Sequence, residues 1–212
     1  GIIGSKKVRE KVSAHAPDFP WTDNFVDIGD ILKSIGKKGI LPHLIAARTL
    51  SGKMLCALYG IPKTGGDKEA SIIFTSGSEA APKAAVLTHR NLMANARQMS
   101  EIGIVDSTDS LHANLPLFHS FGQSVQLWFT MIFGVRIVMV QSPLEVQTNL
   151  EAARKGGSTI MISTPTFLRA YYKKATSADF PKLKHVIGGA EKTPDGFIEA
   201  WNAKFLHLSA IR

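Results

Sequence analysis

The chain has 212 residues, 44% of them apolar and 20% charged, which excludes a disordered or fibrous chain and allows one large domain or two small ones. Lys and Arg exceed Asp and Glu by eight, but basic residues never run longer than two (Lys6-Lys7, Lys37-Lys38, Lys173-Lys174). No aromatic-basic platform or helix-turn-helix pattern accompanies them, so nucleic acid is not an expected partner. A single cysteine, Cys56, excludes an internal disulfide framework and a multi-cysteine zinc site, and fits a reducing, cytoplasmic setting.

Residues 1–68 are weakly patterned, rich in Lys, Gly and Pro, and close on the loop-forming stretch Gly60 to Glu69. The first residue is Gly and no signal-peptide apolar run follows it, so the natural start is expected upstream. Ala70–Thr75 reads as a buried strand, and Thr88 as the cap of a helix to about Glu101, with Leu92, Ala96 and Met99 at helical spacing. Leu111–Leu117 is a second strand, followed by a helix from about Phe121 to Ile132. The apolar stretch Leu127–Val140 is too short to span a membrane and contains Arg136. Val135–Val140 is a third strand, and Pro143 then opens a helix that Gly156-Gly157 ends. Thr159–Ser163 and Leu183–Gly188 are strands, each followed by a helix (Pro165–Lys174 and Pro194–Phe205). Strand and helix alternate at about 25-residue intervals, so the fold class is α/β with crossover units on a mostly parallel sheet.

Directly after the first of these strands comes Thr75-Ser-Gly-Ser-Glu-Ala-Ala-Pro-Lys83. Hydroxyls, a glycine and a distal lysine suit a polyphosphate, which needs many donors and a mobile cation; a solvated Ser/Gly-rich turn explains the same composition. It is not a Walker A loop, because Ala81-Pro82 precedes Lys83, and no Gly-x-Gly-x-x-Gly occurs. A Gly-x-Ser-x-Gly elbow, clustered metal ligands and an Asp five positions after any His are all lacking in the sequence, so a hydrolase triad, a metal centre and an acyltransferase dyad have no anchor here.

The run Phe74 to Leu92 resembles the phosphate-binding signature of the adenylate-forming (AMP-binding) superfamily, which includes acyl-CoA and acyl-ACP synthetases, luciferases and peptide-synthetase adenylation domains. Leu115-Pro-Leu-Phe-His-Ser-Phe-Gly122 is similar to that family's histidine motif, and Ile187-Gly-Gly-Ala-Glu-Lys192 to its adenine loop. Glu79, Thr164-Pro-Thr-Phe-Leu168 and Gly189-Ala-Glu-Lys192 together resemble the bacterial acyl-ACP synthetase group, often fused to a phospholipid acyltransferase and a membrane transporter. The resemblance is strong over residues 70–205 and loose before them. It divides the chain into a front segment, 1–68, and a central segment, 69–212, of a large N-terminal domain.

The resemblance implies an ATP- and Mg²⁺-dependent ligase that makes an acyl-adenylate from a fatty acid and passes the acyl group to the thiol of acyl carrier protein or CoA. It implies that Thr75, Ser76, Gly77, Ser78 and Lys83 hold the β- and γ-phosphates, with Glu79 beside them, repulsive unless Mg²⁺ intervenes or it turns away. His119 is implied to shape the carboxylate pocket; apart from the motif it reads more readily as a hydrogen-bonded histidine after a strand. Gly188, Gly189 and Ala190 are implied to bring backbone against adenine, and Glu191 to add a polar contact or to lie solvated. The apolar residues from Phe121 to Phe133 line an acyl tunnel or pack a core. Ala80 and Ala84 stand where the family usually has glycine. The family's magnesium-binding Glu, ribose-binding Asp, hinge and C-terminal lysine are expected outside this chain. Hence catalysis by these residues alone is not expected, and a non-catalytic nucleotide-binding remnant is the alternative.

Overall fold

A computed structural model describes residues 2–75, 83–205 and 209–211, and the chain divides into two units, Gly1–Thr64 and Gly65–Arg212. In the first, strand β1 (Ile2–Gly4) pairs in parallel with β2 (Phe25–Asp27) across helix α1 (Lys6–His15). Asp27 then caps α2 (Ile28–Thr49) by accepting from Gly29 N and Asp30 N. Gly36 leaves helical geometry (φ 59°, ψ 173°), so α2 is two helices meeting there; only glycine adopts that conformation without strain. Helix α3 (Gly52–Leu58) follows. None of the described residues of this unit is fully buried.

The second unit carries the core. Strands β3 (Glu69–Thr75) and β4 (Lys83–Thr88) form an antiparallel ribbon of their own, with Ile73 opposite Ala85 and Thr75 opposite Lys83. The expectation of a buried strand here is corrected: Ile73 is buried but Ile72 and Phe74 are exposed, because the strand folds back on Ala84-Ala-Val-Leu87, a run too alanine-rich to announce itself as a strand, rather than joining the parallel sheet. Thr88 closes the ribbon and caps α4 (His89–Glu101) in a reciprocal capping box with Asn91.

Five parallel strands make the main sheet, in the order β6-β5-β7-β8-β9: β5 (Ser110–Ala113), β6 (Arg136–Met139), β7 (Ile160–Ser163), β8 (His185–Gly188) and β9 (Ser209–Ile211). The chain runs outward from β5 to β6, returns to β7 on the other side of β5, and continues outward to β8 and β9. The direction of winding thus reverses between β5 and β7. Helices α6 (Val146–Gly156), α7 (Pro165–Lys174) and α8 (Phe197–Lys204) cover one face through Leu150, Leu168, Tyr171, Trp201 and Phe205. On the other, Ala96 of α4 packs with Val125, Phe129, Leu111 and Ile160.

Three expected helices begin or wind differently. Residues Gly122–Phe129 form a π-helical segment before the short α5 (Thr130–Phe133). Pro143 does not open α6, because its carbonyl accepts from the buried Tyr171 hydroxyl at 2.8 Å, and the helix starts at Val146. Gly196, at φ 74°, likewise delays α8 from Pro194 to Phe197.

The amino ends of β5, β7 and β8 are tied together. The Asp109 carboxylate accepts from Thr159 Oγ1 (2.7 Å) and Lys184 Nζ (2.8 Å), while Thr159 Oγ1 also accepts from Ser110 N. Burial works to raise the Asp109 pKa, and its bonds to Lys184, Asp106 N and Thr159 outweigh that, leaving it below the ordinary carboxylate value.

Candidate functional site

The carboxyl ends of β5, β7 and β8 are open, and a cavity of about 330 Å³ lies there, at the point where the winding reverses. In open α/β sheets that crevice is where ligands bind, since the strand-to-helix loops on either side diverge. After β5 it is lined by Leu115, Pro116 and the run His119–Gly122; after β7 by Thr164 and Phe167; after β8 by Ala190 and Glu191.

Close backbone packing shapes this cavity. A Cβ on Gly122 would stand 2.4 Å from Pro116 O, and one on Gly189 2.9 Å from Phe121 Cζ. The Phe121 ring therefore seats against the backbone of the β8 loop. Ala190 holds φ 66°, a left-handed conformation that is strained for any residue with a Cβ. Ala190→Gly is accordingly expected to raise stability by about 0.5–1 kcal/mol, measured as the denaturant midpoint; a loss there would show that the alanine methyl is itself used.

Polar groups converge on the same place. Glu191 Oε2 accepts from Thr166 Oγ1 (2.6 Å) and Thr166 N (3.2 Å), so the carboxylate serves the exposed amino end of α7 and fixes the β8 loop to it. Ser163 Oγ and Thr164 Oγ1, at the end of β7, are buried with no partner among the described residues. The His119 backbone joins the turn into the π-helical segment, accepting from Gln123 N. Its exposed imidazole makes no hydrogen bond among the described residues and lies 4.4 Å, ring centre to ring centre, from Phe118.

The other predicted residues divide in two. Gly188 ends β8 and lines an adjoining pocket with Glu191, Lys192, Thr193 and Asp195. Thr75 and Lys83 face each other as the last rungs of the ribbon, whose Ser71 Oγ donates to Gln123 Oε1 at 2.8 Å. Ser76, Gly77, Ser78 and Glu79 lie outside the described residues.

Sequence reasoning passed over Gln126. Its Oε1 accepts from Leu115 N (2.8 Å) and its Nε2 donates to Ile162 O (2.9 Å), so one fully buried amide spans the strands flanking the reversal. A polar residue inside an apolar run was the only available signal. Behind Phe121 lies a second cavity of about 210 Å³ with apolar walls, including Met99, Val105, Val125, Phe129, Ile162 and Ile187. Among the described residues, Phe121 is the single one that lines both cavities. No group of three metal-capable side chains occurs among the described residues, and no helix there is long and apolar enough to cross a membrane.

A parallel sheet with a ligand crevice at its reversal defines an α/β binding domain, and comparison with known proteins places it. The family model for AMP-binding enzymes matches residues 21–211, so the chain belongs to the AMP-binding enzyme family. It is 25% identical over 175 residues to a long-chain-fatty-acid–CoA ligase of Yersinia pestis, covering 80% of this chain and 31% of that protein. It is 32% identical over 134 residues to an acyl-CoA ligase of Beauveria bassiana, covering 62% of this chain and 23% of that one. The fold matches the N-terminal domain of FACL13 from Mycobacterium tuberculosis with a TM-score of 0.72 at 20% identity, over 98% of this chain and 48% of that one. ATP-bound MatB of Rhodopseudomonas palustris matches at 0.66 and 20% identity, over 98% and 38%. The chain thus spans less than a third of either ligase it resembles in sequence.

Proposed function

We propose that this chain is the central part of an ATP-dependent ligase that activates a fatty acid as its acyl-adenylate, releases pyrophosphate, and delivers the acyl group to the thiol of CoA or acyl carrier protein. Residues 69–212 form the nucleotide-handling segment in this reading and 1–68 its front. The observation that carries it is one crevice bringing together His119, Ala190 and Glu191 with Phe121, whose ring divides that crevice from a cavity walled by apolar side chains. A reaction joining a charged nucleotide to a hydrophobic acid needs that adjacency.

In this reading the bared backbone at Gly188, Gly189 and Ala190 takes the adenine face, and Glu191, held by Thr166, adds a polar contact. Thr75, Ser76, Gly77, Ser78 and Lys83 hold the β- and γ-phosphates, with Glu79 beside them. His119 presents its imidazole to the acyl carboxylate, whose oxygen attacks the α-phosphorus while pyrophosphate leaves. Mg²⁺ supplies charge neutralisation on the triphosphate, with its protein ligand outside this chain. The reading also places the protein in the cytoplasm, at the inner face of the membrane through any acyltransferase or transporter domains joined to it.

Saturating ATP is expected to raise the melting temperature of the chain. Ligand at a hundredfold excess over Kd contributes about 2.7 kcal/mol, a rise of roughly 5–10 °C for a domain of this size. Gly189→Val, which drives a side chain into the Phe121 ring, is expected to abolish the rise. No shift in the unsubstituted chain sinks the proposal. Measurable pyrophosphate exchange by the chain in the presence of fatty acid would sink the non-catalytic nucleotide-binding reading.

A further inference from the structure

The antiparallel ribbon is gripped at its base by the amino end of α4. Arg90 pairs with Asp67 through two bonds (Nε to Oδ1 2.7 Å, Nη2 to Oδ2 3.0 Å), and His89 N and Arg90 N donate to Lys68 O and Gly66 O. Just beyond that base, two departures from regular structure meet at one hydrogen bond. In β3 the register slips between Glu69 and Ser71, which oppose Thr88 and Leu87; a bulge of this kind bends a strand and re-aims its side chains. On the other side stands the π-helical segment Gly122–Phe129, a geometry that is rare and found mostly at functional sites. Ser71 follows the bulge, Gln123 is second in the π-helical segment, and Ser71 Oγ donates to Gln123 Oε1 at 2.8 Å. Ser71 and the buried Ile73 share the inward face of the strand, whereas Ile72 and Phe74 are exposed. Gln123 makes a second bond, from its backbone N to His119 O at 2.9 Å. It stands outside the crevice lining, next to Gly122, which belongs to it. One residue therefore ties the ribbon to the turn that carries His119.

Resting on the ligase reading above, we propose that Gln123 is a positioning residue that sets the distance between the triphosphate and the acyl carboxylate. Attack at the α-phosphorus needs the carboxylate oxygen and the departing pyrophosphate in line on opposite sides. That reading gives the first to His119 and the second to the last rung of the ribbon, Thr75 with Lys83. The rung stands about 20 Å from Glu69 along the strand. A swing of about 10° at the base moves it by roughly 3 Å, more than a phosphate hydrogen bond tolerates. The same swing carries Ser71 by about 1 Å, enough to take its bond to Gln123 out of hydrogen-bonding range. The bond therefore resists the swing, and because Gln123 also holds the His119 turn, both reacting ends refer to one residue.

The test is calorimetric titration of ATP and of AMP, each with Mg²⁺, into the 212-residue chain and its variants. AMP lacks the β- and γ-phosphates, so it reports on the crevice without the rung. Q123A and S71A are each expected to weaken ATP binding by about three- to tenfold and to leave AMP binding unchanged. Both remove the same bond, so S71A/Q123A is expected to lose no more than either single variant. S71T keeps the hydroxyl and is expected to keep the ATP affinity. An equal loss of ATP and AMP would make the contact a structural tie and overturns the proposal. Unchanged ATP affinity in the alanine variants, additive losses in the double variant, or a loss in S71T equal to that in S71A overturns it too. S71A removes one oxygen from a half-buried position, so it should keep its fold even where Q123A does not. Absence of ATP binding in the unsubstituted chain sinks the ligase reading and this proposal with it. ATP binding there, with the variants unaffected, sinks the role of Gln123 alone.

Discussion

Replacing Asn149 with alanine is expected to destabilise the second unit by about 3–5 kcal/mol, a fall in melting temperature on the order of 10 °C. Asn149 is fully buried on α6. Its Oδ1 accepts from His112 Nε2 (3.0 Å) and Asn114 Nδ2 (3.1 Å), and its Nδ2 donates to Ser142 O (2.8 Å) and Glu145 O (2.9 Å). Asn114 also donates to Tyr171 Oη, which in turn donates to Pro143 O. Truncation leaves His112 Nε2 and one hydrogen of Asn114 Nδ2 without an acceptor in a dry interior, and removes the side-chain donor to Ser142 O and Glu145 O, which keep backbone partners in Glu145 N and Asn149 N. A loss below about 1 kcal/mol would show that water enters and satisfies them.

The same network sets an acid limit. Burial pushes the His112 pKa below its ordinary 6.5, against the opposing hydrogen bond to Asn149. Since Asn149 Oδ1 can only accept, Nε2 carries the proton and Nδ1 faces Ser158 Oγ at 3.4 Å. The unfolded chain therefore binds a proton that the folded one refuses between the native pKa and 6.5. Stability falls as pH drops through that window and levels off below the native pKa, as far as this group is concerned. In a His112→Gln variant the melting temperature should be flatter between about pH 7 and pH 5; an unchanged slope would assign the acid sensitivity to other groups.

A second large effect is expected at Gln126. Leucine there fills the same space but orphans Leu115 N and Ile162 O, both buried, at about 2–5 kcal/mol together. It also frees the Leu115-Pro116 wall of the crevice, so the ATP-induced rise in melting temperature should shrink more than stability alone dictates. Equilibrium denaturation with and without ATP checks both; a stability loss with the full ATP response would make Gln126 a structural tie only.

How much of this was legible in the sequence depends on range. The bounds of α7 and the cap of α4 follow from signals a few residues apart: Pro165 at the first position of one, and Thr88 with Asn91 in the other. The pairing of β3 with β4 is also local, yet Ala84 and Ala85 carry too little strand propensity to reveal it. Gln126 and the His112 network were opaque for a different reason. His112 meets its partner 37 residues on, and Asn114 meets Tyr171 57 residues on, so no periodicity encodes either contact. Of the site, the motifs located His119, Ala190 and Glu191, which the fold does gather into one crevice. Thr164 and Phe167 were quoted only for family likeness, and their place in the crevice wall depends on β7 lying between β5 and β8.

The two ends of the main sheet differ in how firmly they are held, and this separates two kinds of evolutionary change. At the amino ends, Asp109 gathers Thr159 and Lys184 into a rivet through three strands, so substitutions there alter whether the chain folds. At the carboxyl ends the loops meet through a ring laid on a glycine and one carboxylate on a helix end. Substitutions there can redraw the crevice and the cavity behind Phe121 without loosening the strands. Relatives sharing this frame can therefore change what the crevice and the cavity admit by exchanging a few loop side chains, with the scaffold inherited unchanged.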